Sequence, residues 1–310
     1  MLPLYYDPIY TEGIALDARF PRERYRLLYE RLKHAVNIEL RAPRMANRAE
    51  LELGHDADYV DAFLSGSLSP EAIRRIGLRP WTDSIIERTL RITGGSLQAL
   101  KHVLSHGGLA GNMAGGTHHA HHDFGSGYCI FNDIALCAIH ALQSPKVRRV
   151  LVLDLDVHQG DGTASICARY PNIFTCSVHA ESNFPFRKEQ SDWDVHLSDE
   201  MGDRDYLDVL DKTLERVRPQ DFDLILYQAG VDPLEDDGLG RLSLSRTGLG
   251  ARNRRVFELH QAHNIPIVIF MGGGYAKPIE RSVDAFEDLF LAAADYCDGS
   301  EHQRYDCKGC

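Results

Sequence analysis

The sequence predicts an α/β fold: one domain over residues 1–300 whose mostly parallel β-sheet is flanked by helices on both faces, with the active site at the carboxyl ends of the strands. Three observations carry that expectation. Short β-rich apolar runs recur along the chain. The stretches between them are polar and repeat their apolar residues at the helical period. No Pro/Gly-rich linker, internal repeat or low-complexity block divides the chain.

The first two runs, residues 4–6 and 36–40, enclose a segment in which Tyr25, Leu28 and Leu32 fall at helical spacing. The third, 150–155, follows an amphipathic stretch at 134–142. Runs at 173–178, 224–227 and 265–271 complete the set, with helical periodicity at 257–262 before the last. This strand–helix alternation favours parallel pairing, because parallel neighbours need a crossover long enough to hold a helix. Ligands of such sheets bind beyond the carboxyl ends of the strands. Polar residues directly after apolar runs are therefore the first suspects, and three runs lead into them.

With 44% hydrophobic and 25% charged residues in 310, the chain has the material for a sizeable core. A formal net charge of −11 opposes nucleic-acid binding, which needs clustered Lys and Arg, and makes a basic substrate the more compatible one. No apolar run approaches the ~20 residues of a membrane span, and the N-terminus lacks a basic segment followed by an apolar one. A cytoplasmic protein is expected, and seven scattered Cys fit reduced thiols there. Cys307 and Cys310 form a C-x-x-C without a second pair, so residues 301–310 read as a flexible tail.

The run at 150–155 leads into Asp154-Leu155-Asp156-Val157-His158-Gln159-Gly160-Asp161-Gly162. A period of two puts Asp154, Asp156 and His158 on one face of an extended segment. Three buried ionisable groups there are costly without a cation or partners. An Asp-Gly turn explains Asp161-Gly162 but not an Asp inside an apolar strand. The later run ends Gln228-Ala229-Gly230-Val231-Asp232-Pro233, where Asp232 is the natural third ligand, although an Asp-Pro alone is usually a turn. Two carboxylates and one imidazole suit Zn²⁺ with a position open to water; Fe²⁺ or Mn²⁺ also accept such oxygen-rich ligands.

In Gly115-Gly116-Thr117-His118-His119-Ala120-His121-His122, four His fall in five positions behind two glycines that permit close backbone approach. A His-rich run can be a surface metal trap. Amide hydrolysis, however, needs a base for the attacking water and an acid for the leaving amine, and one imidazole can serve both in turn. His118 and His119 are the expected pair, with His121 and His122 peripheral. Met271-Gly272-Gly273-Gly274-Tyr275 lacks the spacing of a phosphate loop and suits a loop presenting a phenol to a developing oxyanion, worth roughly 3 kcal/mol.

Taken in chain order, these motifs resemble the histone-deacetylase branch of the arginase/deacetylase superfamily, and its short bacterial and class IV members in particular. His55-Asp56-Ala57-Asp58-Tyr59-Val60 and Ser126-Gly127-Tyr128-Cys129-Ile130-Phe131-Asn132-Asp133 are similar to further family blocks. The resemblance implies a zinc-dependent deacylase acting on acetyl- or acyl-lysine amides through a metal-activated water. It makes Asp156, His158 and Asp232 the metal ligands, His119 the general base and acid, and His118 its electrostatic partner. Asp154 would orient His118 and Asp161 would orient His119. Tyr275 would stabilise the transition state. Gly127, Tyr128, Phe184 and Gly273 would line the substrate tunnel, with Phe186 an alternative to Phe184. The family position usually occupied by Phe is Tyr128 here.

A structural K⁺ is implied under the catalytic loop, lined by Asp154, Asp156, His158, Ser177 and Val178, and a second monovalent site at the carbonyls of Cys167, Tyr170 and Ile173. Cys129 and Ser177 lie in no nucleophile motif. Asp83 is the nearest match to the family's acidic rim residue. A dimanganese ureohydrolase would need more Asp than the single Asp232 supplies. An acetylpolyamine amidohydrolase remains an alternative, supported by Glu181, Asp192, Asp194 and the net charge; a third reading is a binding module for acylated ligands.

Overall fold

The computed structural model describes residues 1–16 and 18–297; the expected 301–310 tail, with Cys307 and Cys310, lies outside the described residues. Among these, eight strands form one sheet: β1 (Leu2–Tyr5), β2 (Ile38–Arg41), β3 (Leu109–Asn112), β4 (Val150–Asp154), β5 (Ile173–Ala180), β6 (Trp193–Leu197), β7 (Leu224–Gln228) and β8 (Ile267–Phe270). Their spatial order is β2-β1-β3-β8-β7-β4-β5-β6, and every neighbouring pair is parallel. The expected α/β class is the observed one.

The helices are α1 (Glu23–Leu32), α2 (Arg48–Leu51), α3 (Ala57–Leu64), α4 (Pro70–Ile76), α5 (Ser84–His106), α6 (Asp133–Ala141), α7 (Asp161–Cys167), α8 (Asp203–Val217), α9 (Arg246–His263) and α10 (Glu280–Cys297). They pack as two groups. In one, α5 covers β1, β3 and β8, α6 covers β4 and β7, and α7 lies on β5. In the other, α1, α10, α9 and α8 follow one another, with α10 on β1 and β3 and α8 on β6. Local chemistry sets the boundaries. Ser69 caps α4 ahead of Pro70, and Gly77 ends that helix at φ 83°. Asp56 accepts from the amides of Asp58 and Tyr59 to start α3.

All six predicted runs are strands, shifted by a residue or two at their ends. Two strands carry no clear sequence signal. β3 is Leu-Ala-Gly-Asn, low in β propensity, and is held because it fills a fully buried slot between β1 and β8. β6 is a half-exposed edge strand whose Asp194 and His196 break any apolar run. The inner strands β3, β8, β7 and β4 are buried along their whole length, so their carboxyl ends open onto a single place.

Candidate active site and metal centre

Register brings the first two motifs together. Asp154 at the end of β4 lies opposite Gln228 of β7 and Ser177 of β5. The chain then turns, and the metal-ligating atoms of Asp156, His158 and Asp232 fall within 4.8 Å of one another, all three buried. His158 Nδ1 stands 3.0 Å from Asp156 Oδ1 and 3.1 Å from Asp232 Oδ2. Asp156 Oδ2 also accepts from the Gly273 amide at 2.9 Å, and Asp232 Oδ1 from the Val157 amide at 3.0 Å. Although burial opposes it, the two carboxylates push the His158 imidazole up to about 10. The cluster therefore demands positive charge, which a divalent cation would supply.

Glycines make room for this cradle. A Cβ on Gly273 would meet Asp232 Oδ2 at 1.9 Å, and one on Gly230 would meet Asp156 Oδ2 at 2.2 Å. The donor set and its enclosure fit a metal with one imidazole and two carboxylate ligands.

His118 and His119 lie beside the cluster, ring centroids 4.1 Å apart. Each faces its own carboxylate. His118 Nδ1 is 2.7 Å from Asp154 Oδ2, and His119 Nδ1 is 2.6 Å from Asp161 Oδ1. Burial disfavours charge on both rings, yet their environments push them apart. Asp154 and Asp156 raise His118 to about 9, while burial and the His118 charge lower His119 to about 4. One imidazole holds the charge; its neighbour is free to accept a proton. His121 is less peripheral than expected, because its Nε2 reaches the other oxygen of Asp161 at 3.2 Å. His122 binds the Gly54 carbonyl instead.

The His loop is pinned from below. Asp133 Oδ1 accepts from the Thr117 amide at 2.9 Å and its hydroxyl at 2.6 Å. His55 Nε2 accepts from the Asn132 amide at 2.8 Å while Nδ1 faces the His122 carbonyl. These contacts explain why both flanking blocks accompany the site.

Tyr275 enters from the opposite side, on the loop after β8. Its amide donates to Asp237 Oδ2 at 2.6 Å, and buried Arg24 donates to the next carbonyl back, Gly274 O, at 3.0 Å. Burial raises the phenol well above its ordinary value, which keeps the hydroxyl a donor. Asp237 and Arg24 escaped the sequence reading, having no motif around them. So did Arg252, fully buried on α9, which donates to the carbonyls of Leu155, Ala229 and Gly230 and so ties together the chain leaving β4 and β7.

These residues close a cavity of about 770 Å³. Gly127, at φ 52°, lets its loop approach His119, where a Cβ would lie 2.6 Å from the ring. Tyr128 follows at φ 68°, a sparsely populated conformation for a non-glycine residue. Phe184 packs edge-on to His119 at 4.9 Å, whereas Phe186 is 89% exposed at the rim. Phe184 is thus the inner wall.

Of the residues expected around a monovalent cation, Asp154 and Ser177 are register partners and Val178 is next along β5, while the Ser177 hydroxyl lies 2.9 Å from His179 Nδ1. At the second expected site the carbonyls of Cys167 and Tyr170 accept the amides of Tyr170 and Ile173. Buried Cys129 donates to the Gly127 carbonyl, and burial pushes its thiol well up, against a nucleophilic role.

None of the acidic residues expected at the rim lines the cavity. Asp83 is exposed before α5 and does not line the cavity. Asp192 is bound to Thr175, Asp194 accepts from Gln159 and Ser191, and Glu181 faces solvent outside the cavity. The net charge pointed towards a cationic substrate, but among the described residues the lining holds five arginines and a single carboxylate, Asp156. A sum over the chain says nothing about where its charges fold.

Comparison with known proteins matches residues 18–288 to the histone deacetylase domain. A protein of Picosynechococcus sp. is 43% identical over 300 residues, 94% of this chain and 98% of its own. Histone deacetylase 2 of Arabidopsis thaliana is 29% identical over 258 residues, 80% of this chain and 66% of its own length. Acetoin utilization protein AcuC of Bacillus subtilis is 34% identical over 194 residues, 58% of this chain and 50% of its own. The chain thus spans about two thirds of the Arabidopsis relative's length and half of the Bacillus relative's. The matched segment holds the carboxylate–imidazole cluster, both His–Asp pairs and Tyr275, and the chain belongs to the histone deacetylase family.

Proposed function

We propose that this chain is a zinc-dependent deacylase that hydrolyses N-acyl amides of the acetyl- or acyl-lysine type, with residues 1–300 as one catalytic domain. The observation that carries the reading is the placement of two buried His–Asp pairs against a cluster of two carboxylates and an imidazole, within one cavity. Asp156, His158 and Asp232 would hold the metal, which when bound supplies Lewis acidity towards the acyl carbonyl and acidifies water.

The side chains around it divide the proton work. His119, oriented by Asp161, takes a proton from the attacking water and returns it to the leaving amine. His118, oriented by Asp154, keeps positive charge beside the developing oxyanion. Tyr275 donates its hydroxyl to that oxyanion from a loop anchored by Asp237 and Arg24. Phe184 and Tyr128 wall the path of the acyl-amine, and Gly127 and Gly273 let the backbone approach it. A K⁺ among Asp154, Asp156, His158, Ser177 and Val178 would be structural. The acetylpolyamine alternative is less favoured, because Glu181, Asp192 and Asp194 do not line the cavity.

A hydrolysis panel tests the reading: zinc-loaded protein with acetyl-lysine peptide, longer acyl-lysine peptides and acetylated polyamines, each with and without a hydroxamate. Hydroxamate-sensitive cleavage of the lysine substrates is expected. Zinc bound at one per chain with no cleavage of any substrate would leave only the acyl-binding module.

A further inference from the structure

We propose that the mouth of this cavity selects substrates bearing a carboxylate on the amine side of the scissile amide, where the substrate emerges from the cavity. The inference rests on the deacylase reading and adds to it the charge of the substrate.

The chain carries 45 Asp and Glu against 34 Lys and Arg, so an unselected lining would be acidic. The observed lining is the reverse. Arg19, Arg24, Arg75, Arg88 and Arg241 face the cavity, and the single carboxylate lining it among the described residues, Asp156, belongs to the metal cluster. Arg24 and Arg88 are buried and donate to the carbonyls of Gly274 and Tyr10; neither is in an ion pair among the described residues, and the only carboxylate whose charge bears on Arg24 there is Asp232 of the metal cluster. The buried Nε of Arg24 has no hydrogen-bond partner among the described residues. Both set a positive field along the wall.

The three others are exposed and stand at the mouth. Arg241 is paired with Asp199 at 3.1 Å. Arg19 and Arg75 make no ion pair among the described residues, Arg75 lying instead over the Phe124 ring at 4.7 Å. These two bracket Tyr128. Arg19 precedes Phe20, whose ring meets Tyr128 at 5.4 Å, and Arg75 precedes Ile76, whose carbonyl accepts the Tyr128 amide at 2.7 Å.

Position decides what they meet. The acyl carbonyl belongs at the floor, beside His119 and the metal cluster, so the groups flanking the amine lie at the mouth. Guanidinium forks bind carboxylates in paired hydrogen bonds, and a cleft of one sign concentrates ligands of the other. The carboxylate could come from Asp or Glu neighbours in a peptide or from the free α-carboxylate of an acyl-lysine; the chemistry is the same.

The test uses hydroxamate-bearing pentapeptides identical except for flanking Asp, Asn or Lys, with dissociation constants measured on the zinc-loaded protein, and cleavage of the matching acetyl-lysine peptides measured in parallel. Asp flanks should bind roughly tenfold tighter than Asn, the size of one charge-assisted contact, and Lys flanks more weakly than Asn. The spread should shrink at about 0.5 M salt, where exposed charges are screened. In Arg19→Gln/Arg75→Gln it should vanish while cleavage of the Asn peptide is unchanged, and Arg19→Lys/Arg75→Lys should retain it. Free Nε-acetyl-lysine against its α-amide distinguishes the two sources of carboxylate. Equal affinities with normal cleavage would overturn this inference alone, as would a preference that survives the double Gln variant. Arginine-dependent preference without any cleavage would uphold it and sink the deacylase reading. Absence of binding by every peptide would overturn both.

Discussion

At the floor of the cavity, His118, His119, Asp154, Asp156, His158 and Asp232 are each 8% exposed or less, and every one touches another polar group of the set or its supports. At the mouth, Arg19, Arg75 and Phe186 stand in solvent with few partners. A buried polar group is costly alone and tolerable when paired, so the floor residues depend on one another. Exposed side chains carry no such obligation. Changes at the floor should abolish function, and changes at the mouth should redirect it.

The largest expected effect is at the cluster itself. In Asp232→Ala, zinc measured by elemental analysis should fall from one per chain towards zero and turnover to background. Chelator should lower the melting temperature of the parent protein reversibly, because a ligand bound only by the folded state stabilises it, but should leave this variant unmoved. Zinc retained at one per chain would remove Asp232 from the ligand set. Next, His119→Ala and Tyr275→Phe should each cost about 10²–10³ in turnover with zinc content intact; an unchanged rate in either excludes the corresponding role.

One layer further out, Asp161→Asn keeps the shape but removes the carboxylate that orients His119, and should cost about 10–100-fold. A loss as large as that of His119→Ala would make Asp161 more than a support. The smallest effect belongs to the wall: Tyr128→Phe removes a hydroxyl without a hydrogen-bond partner among the described residues and should change turnover within about twofold. A large drop there would erase the contrast between floor and mouth.

The parts of this site that could be read from the sequence are those where local order and chemistry coincide. An apolar strand running into Asp154, Asp156 and His158 carries its own signal, because the cost of buried charge is visible in nine residues; the extended segment expected to align the three is not what gathers them, since β4 ends at Asp154 and the chain bends through 156–158. Capped helices such as α3 and α4 follow from local residues too. The supports were not legible. Asp237 holds Tyr275 across 38 residues, Arg24 reaches Gly274 across 250, and Arg252 reaches Leu155 across 97. Their types fit many surface roles, and only packing assigns them this one. β3 was missed for a related reason, since its identity as a strand comes from its neighbours and not from its residues.

By itself, then, the sequence determined the α/β class, the order of the motifs and the side chains able to bind a metal and move a proton, all of which depend on short-range pattern. Tertiary structure alone decided which distant side chains support the site, that Phe184 and not Phe186 walls the cavity, and that an acidic chain lines its cavity with arginine. Composition is a sum over residues; a local field is set by the few side chains that folding brings to one place.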